Sequence, residues 1–188
     1  NDDIILSTHG GMCIRFNESD VRPMGRVSHG VRGIKLSDGD YVVGMSAACD
    51  GDDLLVVTEN GYGKKTPLAE YKTQTRGGKG VTTYRISSTT GNIAGITVVN
   101  ETDDIMLITS EGVVIRMKTR EISRIGRLTK GVRLMRLDDG VSVVSIARTD
   151  EESDDETETV SPEEAADEYV PEETDAEETE EGTPEADE

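Results

Sequence analysis

Short apolar runs bounded by glycine, aspartate and serine set the pattern of this chain, and none follows the 3.6-residue period of an amphipathic helix. Residues 54–57 and 105–108 are apolar at every position, as expected of a strand covered on both faces. In the last patterned stretch, β-branched runs predict strands near 104–109, 112–117, 131–137 and 142–148.

The runs recur. Asp3, Thr8 and Gly11 return as Asp53, Thr58 and Gly61 and again as Asp104, Thr109 and Gly112, at offsets of 50 and 51 residues. Gly30 and Val31 likewise return as Gly80 and Val81 and as Gly131 and Val132, and Asp20 and Val21 as Glu70 and Tyr71 and as Glu121 and Ile122. Four strands in a unit of this length are the mark of a propeller blade. The expected fold is all-β, a propeller-like array of three four-stranded blades over about 2–51, 52–102 and 103–149. Three blades do not close a ring, since propellers use about four to eight, so the expectation is an incomplete array with unpaired strand edges.

Charge separates the repeats from residues 150–188. Of 39 acidic residues, 21 lie in 150–188, where there is no Lys or Arg, leaving 18 acids against all 20 basic residues in 1–149. With Pro, Ser, Thr and Ala between the acids and almost no large apolar side chain, 150–188 cannot bury enough surface to offset chain ordering and is expected to be a disordered acidic tail. No run of eighteen apolar residues exists and the start has no signal-peptide pattern, so a soluble, cytoplasmic protein with no membrane association is expected.

The basic residues of the repeats fall in register. Arg15, Lys65 and Arg116 form one column, Arg26, Arg76 and Arg127 a second, and Lys35, Arg85 and Arg136 a third. A surface Lys or Arg is often only a solvated side chain, but equivalent cations on successive blades would form a curved positive track for the phosphates of bent duplex DNA. With no Trp and one Phe, base stacking of a single strand is poorly supported.

The stretch Gln74, Thr75, Arg76, Gly77, Gly78, Lys79, Gly80 joins glycines that allow close backbone approach to two cations, and reads as a phosphate cradle or as a plain tight turn. It lacks the Walker A spacing. QTRGGKG resembles the QRRGGKG box of the DNA gyrase A family, differing at Thr75, and the repeats over residues 1 to about 149 resemble blades of that family's C-terminal β-pinwheel. GRVSHGVRGIKL from Gly25, TENGYGKKTPLAEY from Thr58 and TREISRIGRLTKGVRLMRL from Thr119 carry the same resemblance.

The resemblance implies a module that wraps duplex DNA on its basic rim and so supports ATP-dependent negative supercoiling by a type II topoisomerase. By it Gln74, Arg76, Gly77, Gly78, Lys79 and Gly80 take the box role, as the principal box or a secondary one. The implied partners are duplex DNA and, through the rest of the protein, a gyrase B subunit and a second gyrase A subunit. ATP and magnesium are implied only for that holoenzyme, and no cofactor for this stretch. The related topoisomerase IV subunit, with a similar but usually degenerate blade array, is the nearest alternative, and a protein-interaction propeller is another.

No catalytic or metal site is expected. Cys13 and Cys49 lack a CxxC spacing, His9 and His29 have no matching carboxylates, and the paired acids at 2–3, 52–53 and 103–104 lack the alternating ligands of a calcium loop. None of Tyr41, Tyr62, Tyr71, Tyr84 or Tyr169 sits in a context matching the family's cleavage tyrosine. For the tail, 21 negative charges beside a cationic track imply an internal polyanion that competes with DNA, or else a solubilising segment.

Overall fold

A computed structural model describes residues 2–150; the expected disorder of the acidic tail lies, except for Asp150, outside the described residues. Each repeat opens with a hairpin: β1 (Asp3–Thr8) and β2 (Met12–Asn17), β4 (Asp53–Thr58) and β5 (Tyr62–Pro67), β8 (Asp103–Thr109) and β9 (Val114–Lys118). The recurrent Thr and Gly make its turn. Gly11, Gly61 and Gly112 take φ of 89°, 75° and 81°, and their N–H groups donate to the carbonyls of Thr8, Thr58 and Thr109 at 3.0–3.1 Å. The three threonine hydroxyls accept from the N–H groups of Met12, Tyr62 and Val113.

Each repeat closes on a strand that pairs with its first: β3 (Val42–Ala47) with β1, β7 (Ile93–Val99) with β4, β11 (Val143–Asp150) with β8. The remaining extended segment does not join its own sheet. β6 (Val81–Thr82) pairs with β2 of the first repeat, and β10 (Val132–Arg133) with β5 of the second. The sheets therefore run β3-β1-β2-β6, β10-β5-β4-β7 and β11-β8-β9. The fourth strand of each complete blade is donated by the next repeat, and the strand expected over 131–137 shortens to two paired residues. Residues 31–32, the equivalent segment of the first repeat, lie in no strand, and β9 is an unpaired edge among the described residues.

Successive sheets stack, and β4 shows how. Leu54 and Val56 point into a core with Ile5, Cys13, Tyr71 and Tyr84, while Leu55 and Val57 point into a second with Ile105, Leu107, Ile122 and Met135. Such two-sided burial follows the two-residue alternation of a strand and explains the unbroken apolar run. In β8 the same run is covered on one face only. Ile105 and Leu107 are buried, whereas Met106 and Ile108 are half-exposed, because among the described residues no sheet lies beyond the third. The two-face expectation for 105–108 is corrected accordingly.

Leu55 and Met106 are equivalent positions with different surroundings. Leu55→Ala is expected to lower the unfolding free energy by about 2–5 kcal/mol, the usual loss for a buried leucine, and Met106→Ala by clearly less. Urea titration of both variants checks this; equal losses would contradict one-sided cover of β8.

Candidate nucleic-acid interface

The segment joining the second and third strands of a repeat crosses to the preceding sheet as a strap. In the second repeat it carries QTRGGKG. Thr73 runs parallel to Arg15, the Gln74 N–H donates to the Arg15 carbonyl at 2.8 Å, and the Gly77 N–H to the Gly33 carbonyl at 2.5 Å. Arg76 turns inward: its Nε donates to the Asp20 carbonyl at 2.8 Å and its Nη1 to the Arg32 carbonyl at 3.0 Å. Gly80 is required twice over, by a φ of 73° and because a Cβ there would stand 2.2 Å from the Cys13 carbonyl oxygen.

The third repeat repeats the device. Lys65 exchanges backbone hydrogen bonds with Ser123 and Ile125 at 3.0 and 2.8 Å, Arg127 Nη1 donates to the Thr82 carbonyl at 2.8 Å, and a Cβ on Gly131 would stand 2.6 Å from the Gly63 carbonyl oxygen. Lys64, fully buried, adds a pin: its Nζ donates to the carbonyls of Gly126 and Arg127 and to the Thr129 hydroxyl at 2.8, 2.5 and 3.2 Å. Burial lowers its pKa from 10.5 to about 8, against the raising effect of Glu70.

The three basic columns thus have different surroundings. Arg15 Nε donates to Asp3 at 2.7 Å and Arg116 Nε to Asp104 at 2.8 Å, while Lys65 is only 2% exposed and leaves Asp53 to Arg124 of the next repeat, at 2.8 and 2.9 Å. A hydrogen bond from Asn17, with lesser ones from Thr73 and Arg15, outweighs burial and holds the Asp3 carboxyl below the usual carboxylate range. The first column ties hairpins and straps together. In the second column Arg76 and Arg127 are strap anchors, and Arg26, whose loop has no preceding sheet here, is exposed.

The third column faces solvent. Lys35, Arg85 and Arg136 are all exposed and form no side-chain hydrogen bond or ion pair among the described residues. Their backbones lie on the next repeat's strap: the Lys35 N–H donates to the Gly78 carbonyl at 2.8 Å, and the Arg85 N–H to the Thr129 carbonyl at 3.2 Å. Lys35 therefore lies beside Lys79, and Arg85 beside Lys130, each pair spanning a junction between sheets. Lys79 and Lys130 are also exposed and without a side-chain partner among the described residues. Lys130 was missed in the sequence, although His29, Lys79 and Lys130 keep the repeat offset; the histidine broke the run of cations. Of the QTRGGKG residues, only Lys79 presents a free cation; Gln74, Arg76, Gly77 and Gly80 seat the strap, and Gly78 receives Lys35.

Fold and site together define a class: a propeller-type array laced by strand exchange, with solvent-facing cation pairs at its junctions. Residues 2–49, 52–100 and 103–150 match the family described as DNA gyrase C-terminal domain, beta-propeller. The chain belongs to this family. It is 49% identical over 156 residues to the DNA gyrase A subunit of Staphylococcus epidermidis, a match that covers 82% of this chain and 18% of that protein. Against the DNA gyrase A subunit of Staphylococcus aureus the identity is 46% over 158 residues, with 83% and 18% covered. The chain thus spans under a fifth of these relatives.

Among solved structures, a DNA gyrase A C-terminal domain matches with TM-score 0.75 and 30% identity over 79% of this chain and 50% of that one. The C-terminal domain of a DNA topoisomerase IV matches with TM-score 0.74 and 28% identity over 79% and 47%. No helix among the described residues is long and apolar enough to cross a membrane.

Lys64 supplies a pH test. Its folded pKa lies below its unfolded value, so between about 8 and 10.5 the unfolded chain holds more protons and the contribution of Lys64 to stability rises with pH. Wild type is expected to gain stability over that window relative to Lys64→Met, in paired urea titrations at pH 7.5 and 10; parallel pH profiles for the two proteins would contradict the burial argument.

Proposed function

We propose that the chain wraps duplex DNA along its rim as the C-terminal module of a gyrase-type topoisomerase A subunit. The observation that carries this reading is the pairing of free cations at successive junctions, Lys35 with Lys79 and Arg85 with Lys130. Side chains on rigid, strapped backbone that spend no hydrogen bonds inside the protein are placed to replace phosphate counterions. Because such contacts read no base edges, binding is nonspecific and strongly salt-dependent.

In the whole protein this wrapping presents a duplex for passage and supports supercoiling, with ATP and magnesium used elsewhere in a complex with a gyrase B subunit and a second gyrase A subunit. This chain contributes no catalytic residue. The likeness to a topoisomerase IV C-terminal domain supports the second reading; the nearly intact QTRGGKG and the gyrase A relatives favour the first. The 21 acids of residues 150–188 act as a tethered competitor for the same cations.

Replacing Lys35, Lys79, Arg85 and Lys130 together by Ala is expected to weaken binding alike on unrelated duplexes and to lower the slope of log K against log salt by about 3–4. Arg76→Ala serves as comparator: it costs stability and leaves that slope nearly unchanged. Equal slopes for the quadruple variant and wild type, or no duplex binding by wild type, would overturn the reading in favour of a protein-interaction array. Removing residues 151–188 is expected to raise DNA affinity most at low salt; unchanged affinity and slope would leave the tail a solubilising segment.

A further inference from the structure

Close to the junction cations, two of the three equivalent strap positions carry an apolar side chain left mostly in solvent. Leu128 is 66% exposed, and its equivalent Val27 is 95% exposed; the intervening strap has Gly77 at this place, with φ of 80°. For Val27 the absence of a preceding sheet contributes to the exposure. That explanation does not hold for Leu128, whose strap is fully seated. The residues on either side of it are fixed: Lys64 holds the Gly126 and Arg127 carbonyls and the Thr129 hydroxyl, Glu70 accepts from the Arg127 N–H at 3.1 Å, and the Arg127 guanidinium is tied to the Thr82 carbonyl. The backbone is clamped while the leucine side chain stands out, one residue from Thr129, which receives the Arg85 N–H, and two from Lys130.

A single exposed leucine is ordinary on a protein surface. A rigid one, on clamped backbone and two residues from the unpaired Lys130, suits a specific use. Proteins that bend DNA through the minor groove pair cations that hold the phosphates with an apolar side chain that enters between base pairs, unstacking one step so that the duplex kinks. A wedge must be rigid, since a mobile side chain would yield before the stack does.

We propose that Leu128 is a wedge that enters a base step of the bound duplex from the minor groove and sets its bend, while Arg85 and Lys130 hold the phosphates beside it. Gly77 leaves the preceding strap without a wedge, so the bend is concentrated at the junction of the second and third repeats. The inference rests on DNA as the ligand and adds the structural element that curves it.

The test uses the 188-residue chain and linear duplexes shorter than the DNA persistence length, with a donor and acceptor dye at the ends and, in a second set, 2-aminopurine at several steps. Wild type at saturation is expected to bring the ends together and raise 2-aminopurine emission. Leu128→Ser, at an exposed position, is expected to keep the salt slope, lose the rise in emission and return the end-to-end transfer most of the way to that of free DNA. Leu128→Phe is expected to retain both signals. Unchanged bending and emission in Leu128→Ser, with binding intact, would overturn the wedge and leave the DNA-binding reading standing. No binding by wild type would overturn both.

Discussion

Every junction in this array depends on one close approach, in which the backbone of a strap reaches the second strand of the preceding sheet with no side chain between. At Gly80 and Gly131 the space for a Cβ is already filled by a carbonyl oxygen of Cys13 or Gly63. A methyl group at either site would push the strap away from β2 or β5 and break the short ladders of β6 and β10. Because those ladders supply the fourth strand of a sheet, a local packing constraint at one glycine decides whether two repeats join.

The straps also explain why the basic columns divide. A strap crossing a sheet edge brings carbonyls that need donors, and buried carbonyls left unpaired are costly. Arg76 and Arg127 satisfy carbonyls of the preceding repeat, and Lys64 satisfies those of the strap itself. Asp3 and Asp53 show the reverse traffic, each receiving a donor from the following repeat, Thr73 or Arg124. At Asp104, where no following strap is described, one carboxylate oxygen is buried without a hydrogen bond. The charges that hold blades together and the charges left for solvent are thus drawn from the same repeating pattern.

Much of the architecture was legible in the sequence because it depends on spacing. The recurrent Thr and Gly, which the structure places in each hairpin turn, the all-apolar strand at 54–57 and the three-unit period all reappear in the structure. Strand donation was not legible, since a period of about fifty residues is the same whether the third segment pairs within its repeat or one repeat back. The first column looked like the third for a related reason. The partner that neutralises Arg15 lies 12 residues away and the one that serves Asp53 lies 71 away, and a column of cations carries no sign of which acids face it.

This division changes what net charge says about the surface. Residues 1–149 carry 20 basic and 18 acidic residues and look nearly neutral, an unpromising balance for a polyanion ligand. Neutrality of the sum is not neutrality of the rim. Asp3, Asp53 and Asp104 are spent on Arg15, Arg124 and Arg116 within the sheets, and partly shielded pairs of that kind contribute little field outside. The unpaired Lys35, Lys79, Arg85 and Lys130 are exposed at the junctions, where the field that reaches solvent is set by local charge. A binding surface of this kind arises from how the acids are placed, through the ion pairs that remove them from the rim.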